Sequence, residues 1–202
     1  MNSVVNKYYN FSVAFTKILL LNTLWVLCTL LGLGIFGFMP ATVAMFSVTR
    51  KWSLGEKDIP VVQTFWDTYK REFLKANSFG VLFIGVLYVL IVSYGILSTQ
   101  TGAPYIISGY IIIALLLLFL IGITYFFPLY VHFDLKFMDY IKWPLTIGLS
   151  HPILTFLLLV GTTIIGYLFI RFIPGLLLFV GGAAIAYLVN KCVATIYPYY
   201  SS

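Results

Sequence analysis

Charge is scarce in this chain. Of 202 residues, 6 are Asp or Glu and 12 are Lys or Arg, 9% in all, while 61% are hydrophobic. Soluble domains carry about 25% charged residues, so a water-soluble fold of this length would lack the polar residues to cover its surface. The reactive residues are few as well, with 2 histidines and 2 cysteines. Cys28 and Cys192 sit far apart in apolar segments without a CxxC spacing, which argues against a disulfide framework or a zinc site. No Ser or Cys stands at a recognisable spacing from a His, and no acidic metal-binding motif is present. The expectation is therefore a protein that is not an enzyme and uses no cofactor. The start, MNSVVNKYYNFSVAF, lacks the basic region, short apolar core and small-residue site of a cleavable signal peptide.

What the chain does have is apolar blocks. The mean hydropathy is +1.03. No charge falls between Lys17 and Arg50, between Lys75 and Asp134, between Lys142 and Arg171, or between Arg171 and Lys191. A helix needs about 20 apolar residues to cross a bilayer. The pattern predicts an all-α integral membrane protein, a single membrane domain with a bundle of about five transmembrane helices over 12–34, 76–97, 105–130, 150–170 and 175–197. Amphipathic in-plane helices are expected between them on the cytoplasmic side, over 40–52, 60–75 and 133–147.

The punctuation is specific. GLGIFGFMP, residues 32–40, predicts a break after the first helix, with a second helix starting at Pro40, a residue favoured in a first turn. That helix reads as too short to cross and is expected to lie in the interface or re-enter partway, ending at Arg50, Lys51 and Trp52. Asp58 is placed to cap a helix from about Pro60. On that helix Val61, Val62, Phe65, Trp66, Tyr69 and Phe73 share one arc, and Gln63, Asp67, Lys70, Arg71 and Lys75 lie opposite. An aromatic face backed by a basic face is expected to lie flat on a membrane, bend into the next span, and meet anionic headgroups. RFIPG predicts a turn, with Pro174 opening the fifth span.

The net charge of +6 fits membrane orientation better than nucleic-acid binding, and no nucleic-acid partner is expected. With five crossings, one face collects Arg50, Lys51, Lys57, Lys70, Arg71, Lys75, Lys136, Lys142 and Lys191. The other collects Lys7, Lys17 and Arg171. The excess of Lys and Arg puts the 50–75 loop and the C-terminus in the cytoplasm and the N-terminus outside. If 36–51 crossed as well, there would be six crossings and a cytoplasmic N-terminus. Trp52, Trp66 and Trp143 form the expected interfacial belt.

Few residues suggest chemistry. Gly32, Gly34 and Gly37 reproduce GxGxxG, but that motif binds dinucleotides only between a strand and a helix. Here it ends a membrane helix and reads as a turn. His132, Asp134, Lys136 and Asp139 are the one His/Asp cluster. On a helix His132, Lys136 and Asp139 would share a face, where a Lys136–Asp139 ion pair is expected over a metal site. His151 beside Pro152 reads as a helix start. Asn22 and Asn190 read as polar glue between spans, and Gly182 with Ala186 as a close helix contact, within the chain or in an oligomer.

Two blocks carry a resemblance. Leu21, Asn22 and Trp25; Gly32, Gly34 and Gly37; Pro40, Ala41 and Thr42; Arg50, Lys51 and Trp52; Thr64, Phe65 and Trp66; and Phe73, Leu74, Lys75, Ala76 and Asn77 together resemble the DUF624, or YesL-like, family of bacterial membrane proteins. His151 and Pro152 fit it too. The resemblance is specific over about the first 80 residues. It implies no catalytic residues. It does imply a neighbourhood, since members occur beside carbohydrate ABC transporters and polysaccharide-degrading enzymes. The expected function is a non-enzymatic accessory component of carbohydrate uptake, with the lipid bilayer and sugar ABC transporter subunits as partners. The alternative is a small carrier or channel for a neutral solute, as an oligomer. Membrane-interface or partner contacts are expected at Arg50, Lys51, Trp52, Phe65, Trp66, Tyr69, Lys70, Arg71, Lys75 and Trp143. Functional candidates are Asn22, His132, Asp134, Asp139 and His151.

Overall fold

A computed structural model describes residues 2–56, 58–172 and 180–196. Among these residues there are only helices: α1 (Asn2–Leu31), α2 (Ile35–Ser53), α3 (Val61–Ser98), α4 (Ala103–His132), α5 (Asp139–Ser150), α6 (Pro152–Phe172) and α7 (Gly182–Ala194). The expected all-α membrane class holds. Three stretches are long and apolar enough to cross a bilayer, Ser12–Leu31, Val61–Ser98 and Ala103–His132; α5 and α6, bent by 102° at His151, make a fourth if taken as one span. The expectation was about five. The start of its fifth span, with Pro174, lies outside the described residues, and the part described, α7, has 13 residues, too few to cross alone.

The first correction concerns the turn after α1. The chain reverses in three residues and the helix resumes at Ile35, not Pro40. Leu33 (φ 57°) and Gly34 (φ 77°) supply the left-handed backbone. Gly32 and Gly37 then let α1 and α2 touch: a Cβ on Gly32 would strike the Gly37 backbone, and one on Gly37 would strike the Cys28 and Thr29 carbonyls. Pro40 is inside the helix and cannot donate to the carbonyl of Phe36. Asn77 Nδ2 of α3 occupies that carbonyl instead, at 2.9 Å.

The second correction is the place of α2. Of the two placements expected for the helix over 40–52, in the interface or re-entering partway, the first does not hold: the helix is the centre of the bundle, packed on α1, α3, α4 and α7. Ala41, Val43, Ala44, Met45, Val48 and Thr49 are buried. A helix that is apolar on all sides must be covered by protein or lipid, and here its neighbours cover it.

The third correction is α3. The expected flat helix over 60–75 and span over 76–97 form one 38-residue helix, about 57 Å long at 1.5 Å per residue. Nothing between Val61 and Phe79 breaks it, since the first glycine is Gly80 and no proline intervenes. Its arc of Phe65 and Tyr69 faces protein: Phe65 is fully buried, and the Tyr69 hydroxyl donates to the Cys28 carbonyl at 3.1 Å. The hydrocarbon core is about 30 Å thick, so the charged first half of α3 projects beyond it. The apolar second half pairs with the start of α4 in a hairpin turned by Gly102 (φ 121°). Tyr88, Val89, Ile106 and Tyr110 there are more than half exposed, a surface suited to lipid.

The expected helix over 133–147 begins only at Asp139. Tyr140 holds the preceding loop open: its hydroxyl donates to the Phe133 carbonyl at 2.9 Å and accepts the Leu135 N–H at 3.1 Å. His132, Lys136 and Asp139 therefore share no helical face. Lys136 and Asp139 are not among the ion pairs of the described residues.

Asn22 and Asn190 do join helices. Asn22 Oδ1 accepts the Ala183 N–H at 3.2 Å. Asn190 Nδ2 donates to the Phe46 carbonyl at 3.0 Å and to Thr49 Oγ1 at 2.8 Å. A Cβ on Gly182 would meet Asn22 and Met45, so this close contact lies within the chain.

The expected sidedness also changes. Lys17 Nζ lies 3.4 Å from Asp58 Oδ1, so the outer part of α1 shares an end with the α2–α3 loop, as in the alternative in which 36–51 crosses and unlike the five-crossing scheme. Tyr187 of α7 lines the same recess as Lys17, Trp52 and Asp58. Cysteines placed one at a time at Tyr9 and Gly55, with Cys28 and Cys192 changed to serine, are expected to react with an impermeant thiol reagent from one and the same side of sealed vesicles. Labelling from opposite sides would refute the shared end.

Candidate functional site: a charged chamber

The end of the bundle where α3 leaves the apolar zone contains a recess of about 820 Å³, lined by α2, α3, the end of α4 and the loop after it. The last turns of α2 bring Ser47, Arg50 and Lys51. The polar face of α3 brings Gln63, Thr64, Asp67, Arg71, Glu72 and Lys75, which recur every three to four residues along one stripe. The end of α4 and the loop bring Tyr130, His132 and Asp134, with Tyr140 from α5.

The groups are tied to one another. Arg71 Nε lies 2.9 Å from Glu72 Oε1. The other oxygen of Glu72 accepts the Tyr130 hydroxyl at 2.8 Å. A hydrogen bond to a charged group is worth about 1.5–3 kcal/mol, and this one locks α3 to α4. Lys75 Nζ sits 5.2 Å from the Tyr130 ring centre and 4.8 Å from that of Tyr140. It also lies 3.6 Å from Asp134, whose side chain is 99% exposed, so the aromatic faces anchor it more firmly than the solvated carboxylate. Arg50 Nε donates to His132 Nδ1 at 3.1 Å. Guanidinium is a donor only, so this contact requires a lone pair on Nδ1 and places the imidazole proton on Nε2.

The sequence candidates thus divide. Arg50, Lys51, Arg71, Lys75, His132 and Asp134 converge on the chamber. Trp66 and Lys70 face outward, with Lys70 5.6 Å above the Trp66 ring, as an interfacial pair would. Phe65 and Tyr69 are core, and Trp52 and Trp143 pack against it; Trp52 Nε1 is buried without a hydrogen-bond partner among the described residues. Asp139 opens α5 outside the chamber. His151 sits at the α5–α6 bend, its carbonyl 3.0 Å from Thr155 Oγ1. Sequence reasoning missed Glu72, Tyr130 and Tyr140. Their partners lie 58 and 65 residues away along the chain, and no local pattern joins them.

Fold and chamber together define an all-α membrane protein that carries a polar, charged recess at one end of its bundle. The chain belongs to the DUF624 family. The family model described as "Protein of unknown function, DUF624" matches residues 18–94, the part that builds the second half of α1, all of α2 and most of α3. The chain is similar to the uncharacterised protein YesV of Bacillus subtilis, 40% identical over 180 residues, 89% of this chain and 86% of YesV. It is also similar to the uncharacterised protein YesL of the same organism, 32% identical over 192 residues, 95% of this chain and 90% of YesL. No solved structure matches it.

Proposed function

We propose that the protein is a non-enzymatic accessory component of carbohydrate uptake in the cell membrane, with the charged end of the bundle in the cytoplasm and the chamber as its working surface. The observation that carries this reading is the chamber. Arg71, Glu72, Tyr130, Lys75 and Tyr140 bind one another, an arrangement that fixes the shape of a recess. The link to carbohydrate rests on the family resemblance and its neighbourhood of sugar transporters. Cytoplasmic placement of the charged end follows from the bias of Lys and Arg toward that side.

Co-expression with a carbohydrate ABC transporter, followed by purification in mild detergent, is the test. The protein is expected to elute with the transporter's membrane subunits. Arg71→Glu is expected to release it, and Lys142→Glu, an exposed change on α5 outside the chamber, is expected not to. Elution of the protein alone from such cells would overturn the reading.

A further inference from the structure

The charges of the chamber do not balance. All six Asp and Glu residues of the chain are described. Asp67 pairs with Lys70 at 4.0 Å, Glu72 with Arg71 at 2.9 Å and Asp134 with Lys75 at 3.6 Å. Each carboxylate in the chamber wall is therefore matched. Arg50 and Lys51, adjacent on the last turn of α2, have no carboxylate partner among the described residues.

A bland reading exists. Cations in the last turn of a helix are stabilised by its dipole, and Lys51 fits that account. Arg50 does not fit it so well. Arg50 is half-buried as a residue, and its guanidinium is turned across the chamber to α4, where its Nε meets a neutral acceptor, His132 Nδ1. A half-buried cation that spends a donor on a neutral ring is held in place without being neutralised, at a cost in desolvation. Fixing Nε leaves the remaining N–H groups of the planar fork for a ligand, and such a fork matches the oxygens of phosphate. Ser47 on the same helix, and Gln63 and Thr64 on the facing helix, add neutral polar groups to the same space.

We propose that the Arg50–Lys51 wall of the chamber binds a phosphate group, whose two negative charges match the two uncompensated cations. The site admits a soluble phosphate compound or the headgroup of a phosphate-bearing lipid, since the chamber opens where the bundle leaves the apolar zone. The inference rests on the chamber being the working surface, but not on a transporter being the partner.

The test uses the full chain in phosphatidylcholine nanodiscs at constant ionic strength. Inorganic phosphate is titrated while thermal stability is followed. A parallel set of discs contains phosphatidic acid, a lipid phosphate monoester. Saturable stabilisation by inorganic phosphate marks a soluble source; stabilisation by phosphatidic acid alone marks a lipid source. In either arm Arg50→Gln is expected to weaken binding about ten-fold or more, and Lys142→Gln to leave it unchanged. If Arg50→Gln does not fold, Lys51→Gln, which removes the other cation and no hydrogen bond of the fold, takes its place. No stabilisation in either arm overturns the proposal, as does equal binding by the chamber variants and wild type. Co-elution with a transporter is a separate readout, so the two proposals fail separately.

Discussion

Gly37→Leu is expected to yield almost no folded protein. The α1–α2 hairpin brings the Gly37 backbone against the Cys28 and Thr29 carbonyls and against Gly32. The obstacle is backbone on every side, so no side chain can rotate away. The helices would have to separate, which would also pull the Trp25 indole from Thr42 Oγ1 (3.1 Å) and the Cys28 carbonyl from the Tyr69 hydroxyl (3.1 Å). Overpacking of a rigid contact belongs with the largest single-residue effects, roughly 4 kcal/mol or more. Size-exclusion profiles in detergent should show loss of the monodisperse peak.

Two other glycines separate the causes. Gly34 has φ 77° and open space around a Cβ, so Gly34→Ala tests backbone strain alone and should cost about 1–3 kcal/mol. Gly85 has open space as well and sits in the apolar half of α3, so Gly85→Leu should be tolerated. A Gly37→Leu protein that folds as well as Gly85→Leu would refute the close packing of the hairpin.

What the sequence discloses is the transfer of segments from water to lipid. Apolar runs report that directly: Ser12–Leu31 and Ala103–His132 are helical stretches long and apolar enough to cross a bilayer. It does not disclose what covers a segment. The run from Pro40 to Trp52 ends in Arg-Lys-Trp, as an interfacial helix does, and is too mixed in composition to look like a span. Its burial is decided by α3, α4 and α7, and no local pattern records them. The aromatic arc of α3 misleads in the same way, because Phe65 and Tyr69 would look alike whether they met lipid or α1. The chamber was half legible. Its cations formed a visible cluster, but the contacts that make it a recess join Arg50 to His132 across 82 residues and Lys75 to Tyr140 across 65.

Asn77→Leu is expected to destabilise the bundle by about 1–3 kcal/mol, the cost of leaving a carbonyl unsatisfied where water is scarce. Asn77 Nδ2 serves two carbonyls: its own turn's Phe73 at 2.8 Å and, across the helix contact, Phe36 at 2.9 Å. The second exists to be served because Pro40 has no N–H to offer it. Pro40 and Asn77, two separate pieces of the family resemblance, are thus one physical unit. Pro40→Ala restores the missing donor within α2, so Asn77→Leu should cost less in that background. The four thermal stabilities of the double-mutant cycle measure the difference, and a coupling of about 1 kcal/mol is expected for residues that share one acceptor. Strict additivity would mean that Asn77 serves Phe36 whether or not the proline is there, and the proposed compensation across the α2–α3 contact would be wrong.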